Sequence, residues 1–130
     1  MNRPEVMSKV QEGRARAFRG MESGLALRVR RLLRGAGVYD GFRPEAVLLG
    51  SMLVDEFCAA RGLVVEVNGC YWHGCRCSKR AWTVRQMNRA AHDEYKYARL
   101  RNAGWTVLVV RECQVVDDVK AVVDWLTHNP

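Results

Sequence analysis

Four cysteines are the residues whose type and spacing point most directly to chemistry. Cys70, Cys75 and Cys77 fall within eight residues of a segment with little hydrophobic pattern, and Cys113 follows much later. Four thiolates suit a tetrahedral structural Zn²⁺ site that keeps no open position. Spacing alone also allows a catalytic or DNA-reading zinc, His73 as a competing ligand, or scattered thiols without a metal.

Two acids on neighbouring predicted strands form a second candidate site. Asp55 and Glu66 are eleven residues apart, and a hairpin-like pairing of their strands would put both side chains on one face. Strand alternation puts Asn68 on that same face. Two carboxylates and the backbone carbonyl between them suit Mg²⁺. The alternative for either acid alone is a solvent-facing residue, but Glu66 interrupts an apolar strand, where an unpaired carboxylate is costly.

A histidine, an aspartate and three aromatic residues complete the candidate set. His73 could act as a general base oriented by Asp93. On spacing alone, the stronger interpretation of this pair is two surface residues. Tyr71, Trp72 and Trp82 could stack on bases or wedge between them, or could instead cover the zinc site.

The elements that must position these residues are predicted to follow the order ααβββαβα. We predict helices over about 4–18, 22–34, 83–102 and 116–127, and strands over 46–49, 52–58, 63–68 and 105–110. The last strand is expected to lie parallel to the third, through a right-handed helical crossover. Cys113 would then arrive at the sheet end that carries the cysteine-rich loop, while Cys58 would be a small core residue.

Length and composition predict one domain. The 130 residues suffice for a hydrophobic core, with a basic helix over 1–20 and the core over 21–130. The charged N-terminus does not resemble a signal peptide, and no apolar run is long enough for a membrane span. We therefore expect a cytoplasmic, nucleoid-associated protein with reduced cysteines. The oligomeric state stays open, with a monomer favoured.

The distribution of charge favours DNA as the partner. The net charge is +7, and residues 1–43 hold ten lysines or arginines against four acids. Basic side chains bind nucleic-acid phosphates and release counterions. We expect arginines of the N-terminal helices, among them Arg14, Arg16 and Arg19, to clamp the backbone. The alternative is a solvated basic face without a partner.

Two motifs resemble the very-short-patch repair (Vsr) endonucleases. The segment Asn68-Gly-Cys-Tyr-Trp-His-Gly-Cys-Arg-Cys is similar to the His-Gly-Cys-Phe-Trp-His motif that follows a central strand in that family. The segment Gly104-Trp-Thr-Val-Leu-Val-Val-Arg-Glu-Cys113 is similar to its later Gly-Trp-x-Val-Leu-x-Val-x-Glu-Cys strand. Both motifs are specific, and the resemblance extends from about Ser8 to Cys113.

The resemblance implies a restriction-endonuclease-like α/β fold of three layers, with a mixed sheet flanked by helices. The core is of the PD-(D/E)xK type in its EDxHD variant, and the activity is Mg²⁺-dependent DNA cleavage, with strand nicking in repair as the expected form. Asp55 would bind the catalytic Mg²⁺ together with the Val67 carbonyl, and His73 would activate water with Asp93 as its partner. The structural Zn²⁺ would be held by Cys70, Cys75, Cys77 and Cys113.

The sequence departs from the family pattern at several positions. One zinc ligand is a histidine in the mismatch enzymes, and Glu22, the counterpart of the family's helical glutamate, lies about one helical turn early. Those enzymes have an apolar residue at the place of Glu66 and a histidine at that of Asn68. The segment Glu66-Val-Asn68 is instead similar to the Glu-x-Lys signature of standard PD-(D/E)xK nucleases, with asparagine in place of lysine. A fuller metal site that uses both Asp55 and Glu66 is therefore expected.

These departures leave the substrate open. Val54 precedes Asp55 where the family has proline, and recognition of T·G mismatches is not implied. Homing-type, nicking and branched-DNA nucleases share the same core. The alternatives are a Holliday-junction or branched-DNA resolvase, which needs a dimer for two symmetric cuts, and a zinc-stabilised DNA-binding module without catalysis.

Overall fold

The computed structural model describes residues 24–70 and 82–130, which form an α/β arrangement. The helices are α1 (Gly24–Gly35), α2 (Val84–Asn102) and α3 (Val115–His128). The strands are β1 (Phe42–Leu48), β2 (Met52–Cys58), β3 (Leu63–Asn68) and β4 (Thr106–Arg111). The helix predicted over 4–18 and most of the cysteine-rich loop lie outside the described residues.

The four strands form one mixed sheet in the order β1-β2-β3-β4. The first three strands are antiparallel neighbours, whereas β4 pairs with β3 in parallel, from Leu63↔Thr106 to Asn68↔Arg111. Helix α2 makes the connection between these two strands. The predicted parallel pairing is therefore confirmed, and it brings the chain after Asn68 and the chain after Arg111 to the same end of the sheet.

The first strand is longer than the sequence indicated. It begins at Phe42 and ends at Leu48, instead of covering 46–49, and Leu49 has a left-handed backbone with φ 51°. Pro44 obscures the strand pattern because proline cannot donate to a ladder. At the edge of the sheet this loss is tolerated, and β1 is an edge strand.

Each face of the sheet carries its own hydrophobic cluster. Helices α1 and α3 cover one face, where Val29, Leu33 and Val122 pack against strand residues that include Cys58. Helix α2 covers the other face with Tyr97 and Leu100, next to Trp105. The prediction of three layers, with a mixed sheet between helices, is thus confirmed. Cys58 is fully buried, as predicted for a core residue.

Helix α2 begins with a capping box. The Thr83 hydroxyl accepts a hydrogen bond from the Gln86 N–H, and the Gln86 side chain accepts one from the Thr83 N–H. This reciprocal pair satisfies two backbone donors that the helix itself leaves unpaired. The helix ends before Gly104, whose φ of 102° favours glycine. Within the described residues, no helix is long and apolar enough to cross a membrane.

Candidate functional site

Asp55 and Glu66 meet where the β2–β3 ladder ends. The backbone pairing runs from Cys58↔Leu63 to Glu56↔Val65. One step further, the Glu66 Oε2 atom accepts a hydrogen bond from the Asp55 N–H at 3.1 Å. The Asp55 Oδ2 atom in turn accepts one from the Val67 N–H at 2.7 Å. Each carboxylate therefore accepts a hydrogen bond from a backbone N–H of the opposite strand. These two hydrogen bonds hold the side chains beside each other.

The second oxygen of Glu66 is paired with a lysine from helix α2. Lys96 forms a salt bridge with Glu66 Oε1, and its ammonium group also donates to the Leu53 carbonyl oxygen at 2.6 Å. Glu66 is 3% exposed. Burial and the neighbouring Asp55 charge raise the pKa of Glu66 to about 8, against the lowering effect of Lys96. The site thus holds two acids and one base, of which Glu66 is buried and Asp55 and Lys96 are partly exposed.

Helix α2 contributes two further polar residues near the carboxylates. Asp93 is 6% exposed and lies 3.5 Å from the guanidinium Nε of Arg89. The interpretation of Asp93 as a surface residue is therefore wrong. The Tyr97 hydroxyl accepts a hydrogen bond from the Asn68 side-chain amide at 2.8 Å. Burial and the charges of Glu66, Asp93 and Asp55 raise the pKa of Tyr97, as expected if all three acids lie near it.

The edge strand is distorted opposite Asp55. The β1–β2 register passes from Pro44↔Glu56 to Ala46↔Val54, and Glu45 between them has a φ of 54°. A left-handed backbone is unfavourable for a residue with a side chain, and such strain often occurs at functional sites. The irregularity lies in the strand that flanks the acidic pair.

The chemistry of the acidic pair fits a hard divalent cation. Asp55 and Glu66 supply carboxylate oxygens from adjacent strands, and the Val67 carbonyl is the backbone oxygen that the sequence proposed as a third ligand. Mg²⁺ prefers such oxygen ligands and usually retains several waters. Mutual repulsion of the two acids, which contributes to the raised pKa of Glu66, would be relieved by a cation. In the described part of the chain, no three histidine, cysteine or acidic side chains form a metal-binding group.

The described cysteines of the proposed zinc site lie at one end of the sheet. The Cys70 N–H donates to Glu112 Oε1 at 3.1 Å, so the start of the loop contacts the residue next to Cys113. This agrees with the predicted approach of Cys113 to the loop. The other proposed site residues, Glu22, Tyr71, Trp72, His73, Cys75 and Cys77, lie outside the described residues.

A second buried carboxylate lies on the opposite face of the sheet. Glu56 is 1% exposed and accepts hydrogen bonds from the Arg30 guanidinium at 2.8 Å and the Tyr39 hydroxyl at 2.7 Å. Burial raises the pKa of Glu56, although both partners oppose the shift. Arg30 of helix α1 is therefore an internal residue. The exposed arginines of this helix are Arg28, Arg31 and Arg34.

Sequence reasoning missed Lys96, although a signal for it existed. Lys96 lies three residues after Asp93, and residues at this spacing share one face of a helix. If Asp93 faces the site, the helical spacing predicts that Lys96 faces it as well. Arg30 gave no such signal because it belongs to a run of arginines that all suited a phosphate-binding role.

The chain is similar in sequence to known DNA endonucleases and nicking enzymes. No protein-family model matches the chain. The type II nicking enzyme V.XorIIP of Xanthomonas oryzae pv. oryzae is 36% identical over 66 residues, 45% of this chain and 48% of that protein. The type II nicking enzyme V.NaeI of Lentzea aerocolonigenes is 36% identical over 77 residues, 53% of this chain and 46% of that protein.

A longer but weaker similarity extends over most of the chain. The DNA mismatch endonuclease Vsr of Escherichia coli is 28% identical over 125 residues, which cover 88% of this chain and 76% of that protein. In the matches to the two nicking enzymes, by contrast, the chain spans about half of their length. The sequence identities are modest, and all three proteins are named as nicking enzymes or endonucleases.

Proposed function

We propose that this chain, which is similar to the Vsr mismatch endonuclease and to two type II nicking enzymes, is a Vsr-like, metal-dependent DNA endonuclease that hydrolyses a phosphodiester bond, in the form of strand nicking. The observation that carries this proposal is the reciprocal hydrogen bonding of Asp55 and Glu66 at the end of the β2–β3 ladder. It keeps two acids together although their mutual repulsion disfavours folding, and a stability cost of this kind indicates a functional site. DNA is the proposed partner, consistent with the net charge of +7.

In the proposed reaction, Asp55, Glu66 and the Val67 carbonyl hold Mg²⁺. This ion, when bound, supplies charge to polarise the phosphate and to stabilise the leaving oxygen. His73 takes a proton from the attacking water, and the buried Asp93 orients His73. The role of Glu22 as the helical glutamate of the family is proposed with the same residue set.

The proposed Zn²⁺ ion has a structural role. Cys70, Cys75, Cys77 and Cys113 are the proposed ligands, and the contact between the Cys70 N–H and Glu112 supports the approach of the first and last of them. Four thiolates leave no coordination position for water. The ion would hold the loop that carries His73 at the end of β3, next to the Mg²⁺ site.

A nicking assay tests the endonuclease proposal. Supercoiled plasmid should be converted to the open-circular form with Mg²⁺, and EDTA should stop the reaction. Asp55→Ala and His73→Ala should each reduce the rate by at least about a hundredfold while DNA binding persists. Asp40→Asn, which changes an exposed loop acid, is the control and should cut normally. Cutting that survives both site substitutions would refute the assignment of these residues.

The two alternative functions predict different results in the same assay. A DNA-binding module should bind the plasmid without cutting it under any metal condition. A resolvase should make paired cuts in a four-way junction and should have the mass of a dimer in solution. A panel of plasmid, mismatched, single-stranded and branched DNA therefore separates all three possibilities.

A further inference from the structure

Lys96 is the one described lysine that contacts the acidic pair. The described residues contain two lysines, Lys96 and Lys120, and Lys120 is an exposed residue of helix α3 on the opposite side of the sheet. Lys96 lies within α2, and its side chain is 19% exposed. A lysine normally keeps its ammonium group in water, so this degree of burial requires a compensating interaction.

The ammonium group bridges the two strands that carry the acids. It pairs with Glu66 on β3 and donates to the Leu53 carbonyl on β2, two residues before Asp55. A lysine ammonium group has three donors. The two contacts with described residues use two of these donors, and the third can serve an additional acceptor, such as a phosphate oxygen.

The sequence has no lysine at the place where a Glu-x-Lys segment would provide one. Asn68 occupies that position, and its amide donates to the hydroxyl of Tyr97, the residue next to Lys96. Helix α2 therefore brings a positive charge to Glu66, while Asn68 contacts the same turn of the helix. The charge comes from the helix instead of the strand.

We propose that Lys96 is a catalytic residue that contacts the scissile phosphate, after serving in the free protein as the counter-ion of Glu66. This inference rests on the proposed endonuclease function and adds a residue to it. When a divalent cation neutralises the acidic pair, the attraction of Lys96 to Glu66 decreases. The ammonium group can then donate to a phosphate oxygen, whose negative charge increases as the attacking water adds.

Two readouts separate this role from a merely structural one. Lys96→Met removes the charge and keeps a side chain of similar length. Its single-turnover nicking rate at saturating Mg²⁺ should fall by about a hundredfold, while its dissociation constant for DNA changes less than threefold. Its affinity for Mn²⁺, measured by calorimetry without DNA, should rise severalfold because a competing cation has been removed. Lys120→Met is the matched control and should change neither quantity.

A charge-retaining variant and a second neutral variant complete the design. Lys96→Arg should cut at least tenfold faster than Lys96→Met. If Lys96→Met does not fold by circular dichroism, Lys96→Gln, which keeps an N–H donor for Glu66, replaces it with the same expected results.

Three outcomes would overturn the inference. They are a neutral variant that cuts within threefold of the parent rate, neutral and arginine variants that are equally slow, and an unchanged Mn²⁺ affinity in the neutral variant. Failure of the proposed function looks different, since the unsubstituted protein itself would then not cut DNA.

Discussion

At the scale of single residues, the distinctive feature is a carboxylate held between an opposite and a like charge. Glu66 contacts Lys96 with one oxygen and the backbone of Asp55 with the other. Its raised pKa means that the folded protein binds a proton there more tightly than the unfolded chain does. Folding stability must therefore depend on pH near neutrality.

The sign of this dependence follows from the direction of the shift. Between the ordinary pKa of a glutamate and about 8, the folded state binds more protons at Glu66 than the unfolded state. In Mg²⁺-free buffer, the free energy of unfolding should thus decrease as the pH rises through this window, by up to about 1.4 kcal/mol per pH unit from this group.

Denaturant titrations across the window measure this effect. Glu66→Gln should flatten the profile, because the amide does not titrate. Glu94→Gln, a substitution of an exposed acid on α2, is the control and should keep the parental slope. Equal slopes for the parent and Glu66→Gln would contradict the expected effect.

At the scale of elements, the positions of α1 and α2 depend on different polar contacts. Helix α1 is connected to β2 through the buried pair of Arg30 and Glu56, and helix α2 begins with its capping box. The Arg30–Glu56 pair lies on the face of the sheet opposite to Glu66, and the capping box lies at the start of α2, 13 residues before Lys96. Their loss should therefore change stability more directly than chemistry.

Arg30→Met should destabilise the protein because it leaves the buried Glu56 without its cation. Breaking one side of a buried ion pair costs about 3 kcal/mol, measurable as a lower free energy of unfolding. Arg31→Met alters the exposed neighbour on the same helix and should change stability by less than about 0.5 kcal/mol. Similar losses in both variants would show that Glu56 is not the reason.

Thr83→Ala should weaken the start of helix α2. Loss of an N-cap hydroxyl costs about 1 kcal/mol, because the Gln86 N–H loses its acceptor. Thr127→Ala is a control, since this hydroxyl bonds the Val123 carbonyl within the last turns of α3. Thermal unfolding of both variants tests the expectation, and an unchanged midpoint for Thr83→Ala would contradict it.

At the scale of the whole molecule, the exposed arginines of helix α1 and the acidic pair are separated by the sheet. Helix α1, with exposed Arg28, Arg31 and Arg34, packs on the face opposite to α2, whereas Glu66 pairs with a residue of α2. A DNA duplex that contacts both must pass around the edge or the end of the sheet. The arginines would then add affinity without contributing to the chemical step.

Replacing Arg28, Arg31 and Arg34 together with glutamine tests this separation. Each phosphate contact contributes about 0.9 to the slope of log affinity against log salt concentration, so the slope should decrease by up to about 3. The nicking rate at saturating protein should change little. A lower maximal rate with an unchanged salt slope would contradict the separation of binding from chemistry.

Most of the fold could be predicted because its signals are local. The apolar strands β2 and β3 have the predicted bounds, and the helix between β3 and β4 forces a parallel crossover. The start of β1 was missed because Pro44 and Glu45 do not follow strand alternation. The adjacency of Asp55 and Glu66 was predictable from strand pairing, since both lie at the same number of residues from the turn that joins β2 to β3.

The partners of the buried charges could not be predicted in the same way. Lys96 is 30 residues from Glu66, and Arg30 is 26 residues from Glu56. Each helix carries several basic residues, and the rotation of the helix about its axis determines which of them points towards the sheet. That rotation is determined by hydrophobic contacts such as those of Tyr97 and Leu100, which hydrophobic periodicity describes only approximately.

The parallel pairing of β3 and β4 has a consequence for the order in which the molecule is made. The bond between the Cys70 N–H and Glu112 joins residues 42 positions apart, and β3 acquires its parallel neighbour only with Thr106–Arg111. During translation the acidic pair emerges well before this neighbour. We therefore expect a stalled or truncated chain that ends before β4 to lack a fixed cleavage site.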